Sequence, residues 1–143
     1  MKVIRTETTA QRAGAYYVRI QAMAVKHHIP LEIEFDEHDT PDAKYIVIVD
    51  DVLPVATGRL FPVSEDVIQF GRIVVLPEYR HKGLGSRVVL ESEAWAKELG
   101  YKKAILDSRD NKLEFYEKLG YEGDPDNVYY EEPFTCVRME KLL

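Results

Sequence analysis

The chain has 143 residues, 45% hydrophobic and 31% charged, with a formal net charge of −6. This size and balance suit a single domain over residues 1–143 that builds its core without disulfides or metals. The acidic charge weighs against a nucleic-acid partner, no apolar run reaches the roughly 18 residues of a membrane span, and a lone cysteine, Cys136, rules out an internal disulfide or a cysteine-based zinc site.

The opening MKVIRTETTA lacks the apolar core of a signal peptide. With a single cysteine, it points to the cytoplasm. Val3–Arg5 reads as a first strand. From about Thr8 to His28 there is no proline, and Ala13, Tyr16, Tyr17, Ile20, Met23 and Ala24 recur at helical spacing. Pro30 disfavours helical geometry at Ile29 and ends that helix. Leu31 to Asp42 is acidic and reads as a loop.

A hairpin is predicted next, with strands at about Ala43–Val49 and Val52–Phe61 and its turn at Asp50-Asp51. Val67–Leu76 is a third β-branched strand, in which Gly71 signals a bulge or a close backbone approach. A helix over Leu84–Leu99 places Leu84, Val88, Trp95 and Leu99 on one face and stops at Gly100. A strand at Lys102–Asp107, a short helix ending at Gly120, and two weaker strands near Val128–Tyr130 and Thr135–Glu140 complete the chain. Exposed Tyr129, Tyr130 and Phe134 leave room for a homodimer contact.

The turn Arg80-His81-Lys82-Gly83-Leu84-Gly85 lies where the strand ends and the long helix begins. A helix N-terminus offers unpaired N–H groups and the positive end of a dipole, both of which suit a phosphate. Gly83 and Gly85 carry no Cβ to hold a phosphate away, and Arg80, Lys82 and Arg87 add charge. The same turn also reads as a plain strand-to-helix connection with solvated basic residues. A P-loop is excluded because the chain contains no Gly-Lys-Ser/Thr. A dinucleotide fingerprint is excluded because Val88 takes the place of its third glycine.

Residues Arg80 to Gly85 resemble the Gln/Arg-x-x-Gly-x-Gly/Ala pattern of the GNAT (Gcn5-related N-acetyltransferase) superfamily. Arg72–Tyr79 resembles that family's fourth strand and its exit. Asn111–Tyr121, NKLEFYEKLGY, is similar to its recurring helix and turn. The resemblance is strongest from Arg72 to Tyr121. It implies a mixed α/β fold with a mostly antiparallel sheet flanked by helices and splayed between strands 4 and 5. It also implies an acetyl-CoA-dependent N-acetyltransferase like the small bacterial members, with a small-molecule or peptide amine as acceptor and no metal.

Residue by residue, the resemblance gives the backbone of Ile73, Val74 and Val75 to the pantetheine arm. It gives the amides of His81, Lys82, Gly83, Leu84, Gly85 and Ser86, with Arg80 beside them, to the pyrophosphate. Gly71 corresponds to a bulge that aims an amide at the thioester carbonyl. Tyr116 falls at the general-acid position, where a phenol can return a proton to the departing thiolate. Phe115 reads as packing. Asn111 either caps its helix or touches the cofactor, and Lys112 and Lys118 either meet the CoA phosphates or are solvated.

Gln69-Phe70-Gly71 lacks the Glu that many members carry on the fourth strand as a base. The remaining candidates are Glu32, Glu34, Asp36, Glu37 and His38, or a water path. Glu34, Asp36 and Asp39 keep part of an acidic pattern found after the first helix of small bacterial members, while Lys26-His27 and Cys136 depart from it. The acidic loop either attracts a cationic amine or is solvated. His27 and His28 face different sides of a helix, which argues against their sharing a metal with His38. Two rival readings remain, a non-catalytic acyl-CoA sensor and a binder of another nucleotide phosphate.

Overall fold

The computed structural model describes residues 1–131 and 133–143. Its elements run β1 (Lys2–Arg5), α1 (Thr9–Arg19), α2 (Leu31–Glu34), β2 (Lys44–Asp50), β3 (Leu53–Pro62), β4 (Val67–Val75), α3 (Leu84–Glu98), β5 (Lys103–Arg109), α4 (Leu113–Lys118), β6 (Glu122–Glu131) and β7 (Phe134–Leu142). Seven strands hydrogen-bond in the order β1-β2-β3-β4-β5-β7-β6. The pairs β1–β2, β2–β3, β5–β7 and β6–β7 are antiparallel and β4–β5 is parallel, so the mixed, mostly antiparallel sheet is as expected.

The parallel ladder runs from Val67↔Lys103 to Phe70↔Leu106 and stops there, although β4 continues to Val75 and β5 to Arg109. Backbone N–H and C=O groups beyond that point are released from the ladder, which is how a sheet offers its main chain to a ligand.

The chain forms two compact units, Met1–Phe61 with Arg72–Ser92, and Pro62–Gly71 with Glu93–Leu143. In the first, α1 begins with a capping box. The Thr8 side chain accepts from the Gln11 N–H, and the Gln11 side chain accepts from the Thr8 N–H. The helix continues as a π-helical stretch, Ile20–Val25, and ends at His28 with φ 55°. The buried face comprises Ala15, Val18, Arg19, Ala22 and Ala24, while Ala13 and Tyr17 lie off it, Tyr17 exposed. Apolar periodicity alone favours the larger residues. A buried arginine instead claims part of the face, and the wider π-helical turn shifts the register of the residues after Arg19.

The expected loop at Leu31–Asp42 begins with α2. Pro30 sets φ at −58° for helix entry, and its carbonyl accepts from the Ile33 and Glu34 N–H groups. The hairpin turn lies at Asp51-Val52, one residue later than expected, with Asp51 at φ 57°. Against β3 packs α3: a Cβ added at Gly58 would lie 2.6 Å from Cγ1 of Val88.

In the second unit, β5 and β7 carry the core residues Ala104, Leu106, Val137 and Met139, joined by Ile68, Phe70 and Tyr121. Tyr121 donates to Glu93 at 2.8 Å, and Lys141 reaches both Glu93 oxygens and the Leu119 carbonyl. These bonds satisfy a carboxylate that burial would otherwise penalise. Leu99, expected on the packed face of α3, is exposed just before Gly100, which stops the helix with φ 95°.

Candidate functional site

Strand β4 exits through Pro77–Tyr79, one turn of 3-10 helix, into the basic turn. His81 and Gly83 are both left-handed, with φ 63° and 76°. A Cβ added at Gly83 would meet nothing within 4 Å, so the space over its backbone is open. The Gly83 carbonyl accepts from the Arg87 N–H at 3.1 Å, which makes Gly83 the residue that opens α3. Helix geometry then leaves the N–H groups of Leu84, Gly85 and Ser86 without partners inside the helix. Arg80, His81 and Lys82 are exposed beside them, and Lys82 Nζ lies 5.0 Å from the Tyr79 ring centroid. This donor set, with open space over a glycine, fits a phosphate-bearing ligand such as CoA.

In β4, Val74 is buried while Ile73 and Val75 are half-buried. The sequence points to an irregularity at Gly71, but the residue with left-handed geometry is Arg72, at φ 50°. A Cβ at Gly71 would touch nothing, so no close approach explains that glycine. For an arginine this conformation costs about 1–2 kcal/mol, which something else must offset.

That offset lies in a buried ion cluster which sequence reading did not find. Arg19 is fully buried; it donates to Glu34 at 2.9 Å and to both oxygens of Asp39 at 2.6 and 3.0 Å. Arg59, 4% exposed, donates to Asp36 at 2.8 Å and to Asp39 at 2.9 Å. Arg72 donates from Nε to the Glu34 carbonyl at 3.1 Å and from Nη2 to Asp36 at 3.2 Å. Tyr45 donates to Asp39 at 2.6 Å. Burial pushes the Asp39 and Asp36 carboxyls up. The hydrogen bonds and charges of Arg19 at Asp39, and of Arg59 at Asp36, outweigh burial and hold both below the ordinary carboxylate range.

Three arginines thus balance the Glu34, Asp36 and Asp39 carboxylates, which are scaffold, while Glu32, Glu37 and Asp42 of the same loop are exposed. Of the expected base candidates, Glu34 and Asp36 are committed to this cluster. His38 stacks on Phe61 with ring centroids 3.7 Å apart and lies 3.6 Å from Glu37, while Glu32 is exposed. Among the described residues no group of three or more His, Cys, Asp or Glu is arranged to hold a metal ion.

In the second unit, Tyr116 lies on α4, half-buried, in edge-to-face contact with Phe115 and Tyr121 at 4.9 and 6.0 Å. Burial, opposed by the charge of Arg109, pushes its phenol up to about 12. A tyrosine in that setting keeps its proton at neutral pH and has it to give. Asn111 does not cap α4: it sits in a 3-10 turn, Asp110–Lys112, and the cap position falls to Lys112. Lys118 pairs with Glu114 one turn earlier, at 3.3 Å.

A second polar group sits where the parallel ladder stops. Asp107 on β5 accepts from Gln69 at 3.2 Å and from Arg138 at 2.6 and 3.3 Å, and the Tyr129 hydroxyl bonds it as well. Gln69 therefore supports a carboxylate on the neighbouring strand, while its own strand offers none. Cys136 is buried, and burial is the first cause of its raised thiol pKa. Of the three aromatics expected to be exposed, only Tyr130 is, while Phe134 lies under Arg109.

The model of the acetyltransferase (GNAT) family matches residues 10–121. The Bacillus subtilis protein YjcF, an uncharacterised N-acetyltransferase, is 30% identical over 141 residues, covering 99% of both chains. The crystal structure of a Lactobacillus plantarum protein classed among N-acetyltransferases superposes with a TM-score of 0.93 at 31% identity, covering 99% of this chain and 97% of that one. A GNAT family acetyltransferase from Elizabethkingia anophelis with acetyl-CoA bound shares the fold, with a TM-score of 0.70 at 15% identity and coverage of 99% and 97%.

Proposed function

The chain belongs to the acetyltransferase (GNAT) family, and from that premise we propose that it moves an acetyl group from acetyl-CoA to an amine by direct attack of the amine on the thioester. The observation that carries this reading is the start of α3, where a left-handed glycine, open space and unpaired helix N–H groups meet three exposed basic residues. In this reading the amides of His81 to Ser86, with Arg80 alongside, hold the pyrophosphate. The main chain of Ile73 to Val75 holds the pantetheine arm, and Asn111 lies against the cofactor.

The reaction balances simply. A C–N bond forms between the acceptor nitrogen and the acetyl carbon, the C–S bond breaks, the nitrogen loses a proton and the thiolate gains one. Tyr116 supplies that second proton, consistent with a phenol kept neutral by its surroundings. Glu34 and Asp36 do not serve as the base, since both carboxylates are engaged by arginines, and the nitrogen gives its proton to water. The acceptor is a small-molecule or peptide amine.

Calorimetry with acetyl-CoA and with CoA tests the donor assignment. Saturable heat with both is expected; no heat with either removes it. Thioester consumption against a panel of primary amines then tests the transfer, and the absence of any amine-dependent consumption would count against it.

A further inference from the structure

Arg72 carries a conformation that its neighbour would adopt at less cost. Gly71 has no Cβ to strain and open space around it, yet it is Arg72 that takes φ 50° inside β4. A residue that bears strain in place of an adjacent glycine is held there by its side chain. The Arg72 guanidinium has the means: Nε donates to the Glu34 carbonyl and lies 3.5 Å from the Glu34 carboxylate, and Nη2 donates to Asp36.

Those acceptors are themselves fixed. The Glu34 carbonyl and carboxylate also receive Arg19 at 2.7 and 2.9 Å, and Asp36 receives Arg59 and the His38 N–H. Arg72 is therefore tied to a buried frame whose other arginines are 0% and 4% exposed. Rotation about its N–Cα bond sets the direction of the next peptide plane, which carries the Ile73 N–H.

We propose that Arg72 is a positioning residue: its tether to Glu34 and Asp36 fixes the left-handed backbone that aims the Ile73 N–H at the thioester carbonyl oxygen. The inference rests on the acetyl-CoA reading above. It gives the acidic loop a role in the reaction without contact between any of its carboxylates and the acceptor. A preorganised amide of this kind stabilises charge that develops on the carbonyl oxygen as the amine adds.

The test is isotope-edited infrared spectroscopy of acetyl-CoA labelled with 13C at the thioester carbonyl, bound to the full chain, alongside calorimetry of acetyl-CoA and CoA. In the wild type the carbonyl band should move to lower frequency on binding. Arg72→Gly removes the tether while leaving positive φ unstrained, and CoA binding by the variant reports whether its fold is kept. Its band shift should be lost and its preference for acetyl-CoA over CoA should fall about fivefold, the scale of one hydrogen bond. CoA affinity itself should stay within about twofold. A full wild-type shift in Arg72→Gly overturns the proposal, because the backbone would then need no tether. If the wild type binds acetyl-CoA with an unshifted band, this inference falls and the donor assignment stands; if the wild type does not bind acetyl-CoA, the donor assignment itself falls.

Discussion

Asp39 shows how single residues set the stability of the first unit. It accepts from Arg19, Arg59, Tyr45 and the Asp36 N–H, so its replacement by Asn leaves two arginines short of a charge partner. Asp39→Asn should destabilise the protein by about 3–5 kcal/mol, the cost of breaking a buried pair from one side, read as a lowered midpoint in urea. The same cluster sets an acid limit. Asp36 and Asp39 have folded-state pKa values below their unfolded ones, so the stability they supply is complete above about pH 4 and drains as pH falls through the folded values. Thermal midpoints should be flat from about pH 5 to 8 as far as this pair is concerned and fall steeply below about pH 4; a loss beginning near neutrality would mean that other groups govern the transition. For Tyr116, in its proposed acid role, the prediction concerns turnover instead. Tyr116→Phe should lower kcat about 100-fold while acetyl-CoA affinity is unchanged, within the usual range for a general acid. With its phenol pushed up to about 12, wild-type activity should show no loss with a midpoint near the ordinary phenol value of about 10. Equal turnover by the two proteins would release Tyr116 from the acid role.

At the scale of elements, the start of α3 and the sheet were legible in the sequence because each left a local mark. β-branched runs bounded by turn residues marked all seven strands to within a few positions, except β6, where only Val128–Tyr130 was found of a strand spanning Glu122–Glu131. That strand begins Glu-Gly-Asp-Pro-Asp-Asn, a composition that reads as turn, and takes its place through antiparallel pairing with β7. The ion cluster was illegible for a different reason. Arg19 and Asp39 lie 20 residues apart, as do Asp39 and Arg59, in pairs that only the fold brings together, and a lone arginine on a helix gives no sign that it will be buried. Arg72 was hidden by its neighbour, since glycine is the expected owner of positive φ and Gly71 drew the assignment. Packing between elements gives its own prediction. Gly58→Ala forces a Cβ to within 2.6 Å of the Val88 Cγ1 on α3, so the Val88 side chain or the backbone must shift. A loss of about 1–3 kcal/mol is expected from such overpacking, and Val88→Ala in the same chain should recover part of it. If Gly58→Ala melts at the wild-type temperature, the close approach of α3 to β3 is wrong.

For the molecule as a whole, the proposed function asks how a chain with a net charge of −6 would hold a polyanionic ligand. In the proposed site, the long-range field of the chain repels CoA, while the Arg80 and Lys82 charges, exposed at the start of α3, attract it at short range. Neutralisation of the Glu34, Asp36 and Asp39 carboxylates by Arg19, Arg59 and Arg72 removes those three from this balance. Salt screens both contributions, and the sign of the net effect tells which is larger at the site. At about 0.1 M ionic strength the screening length is about 10 Å, and at about 1 M it is about 3 Å, so distant repulsion fades first and the close contacts last. For the wild type, CoA affinity should fall as salt rises from about 0.1 M to about 1 M, because the local attraction dominates. In the double variant Arg80→Ala and Lys82→Ala the attraction is mostly gone and the repulsion stays. Affinity should be lower at about 0.1 M and should hold or rise as salt is added. A double variant whose affinity falls with salt as steeply as the wild type would place the attractive charge elsewhere and remove the basic turn from the site.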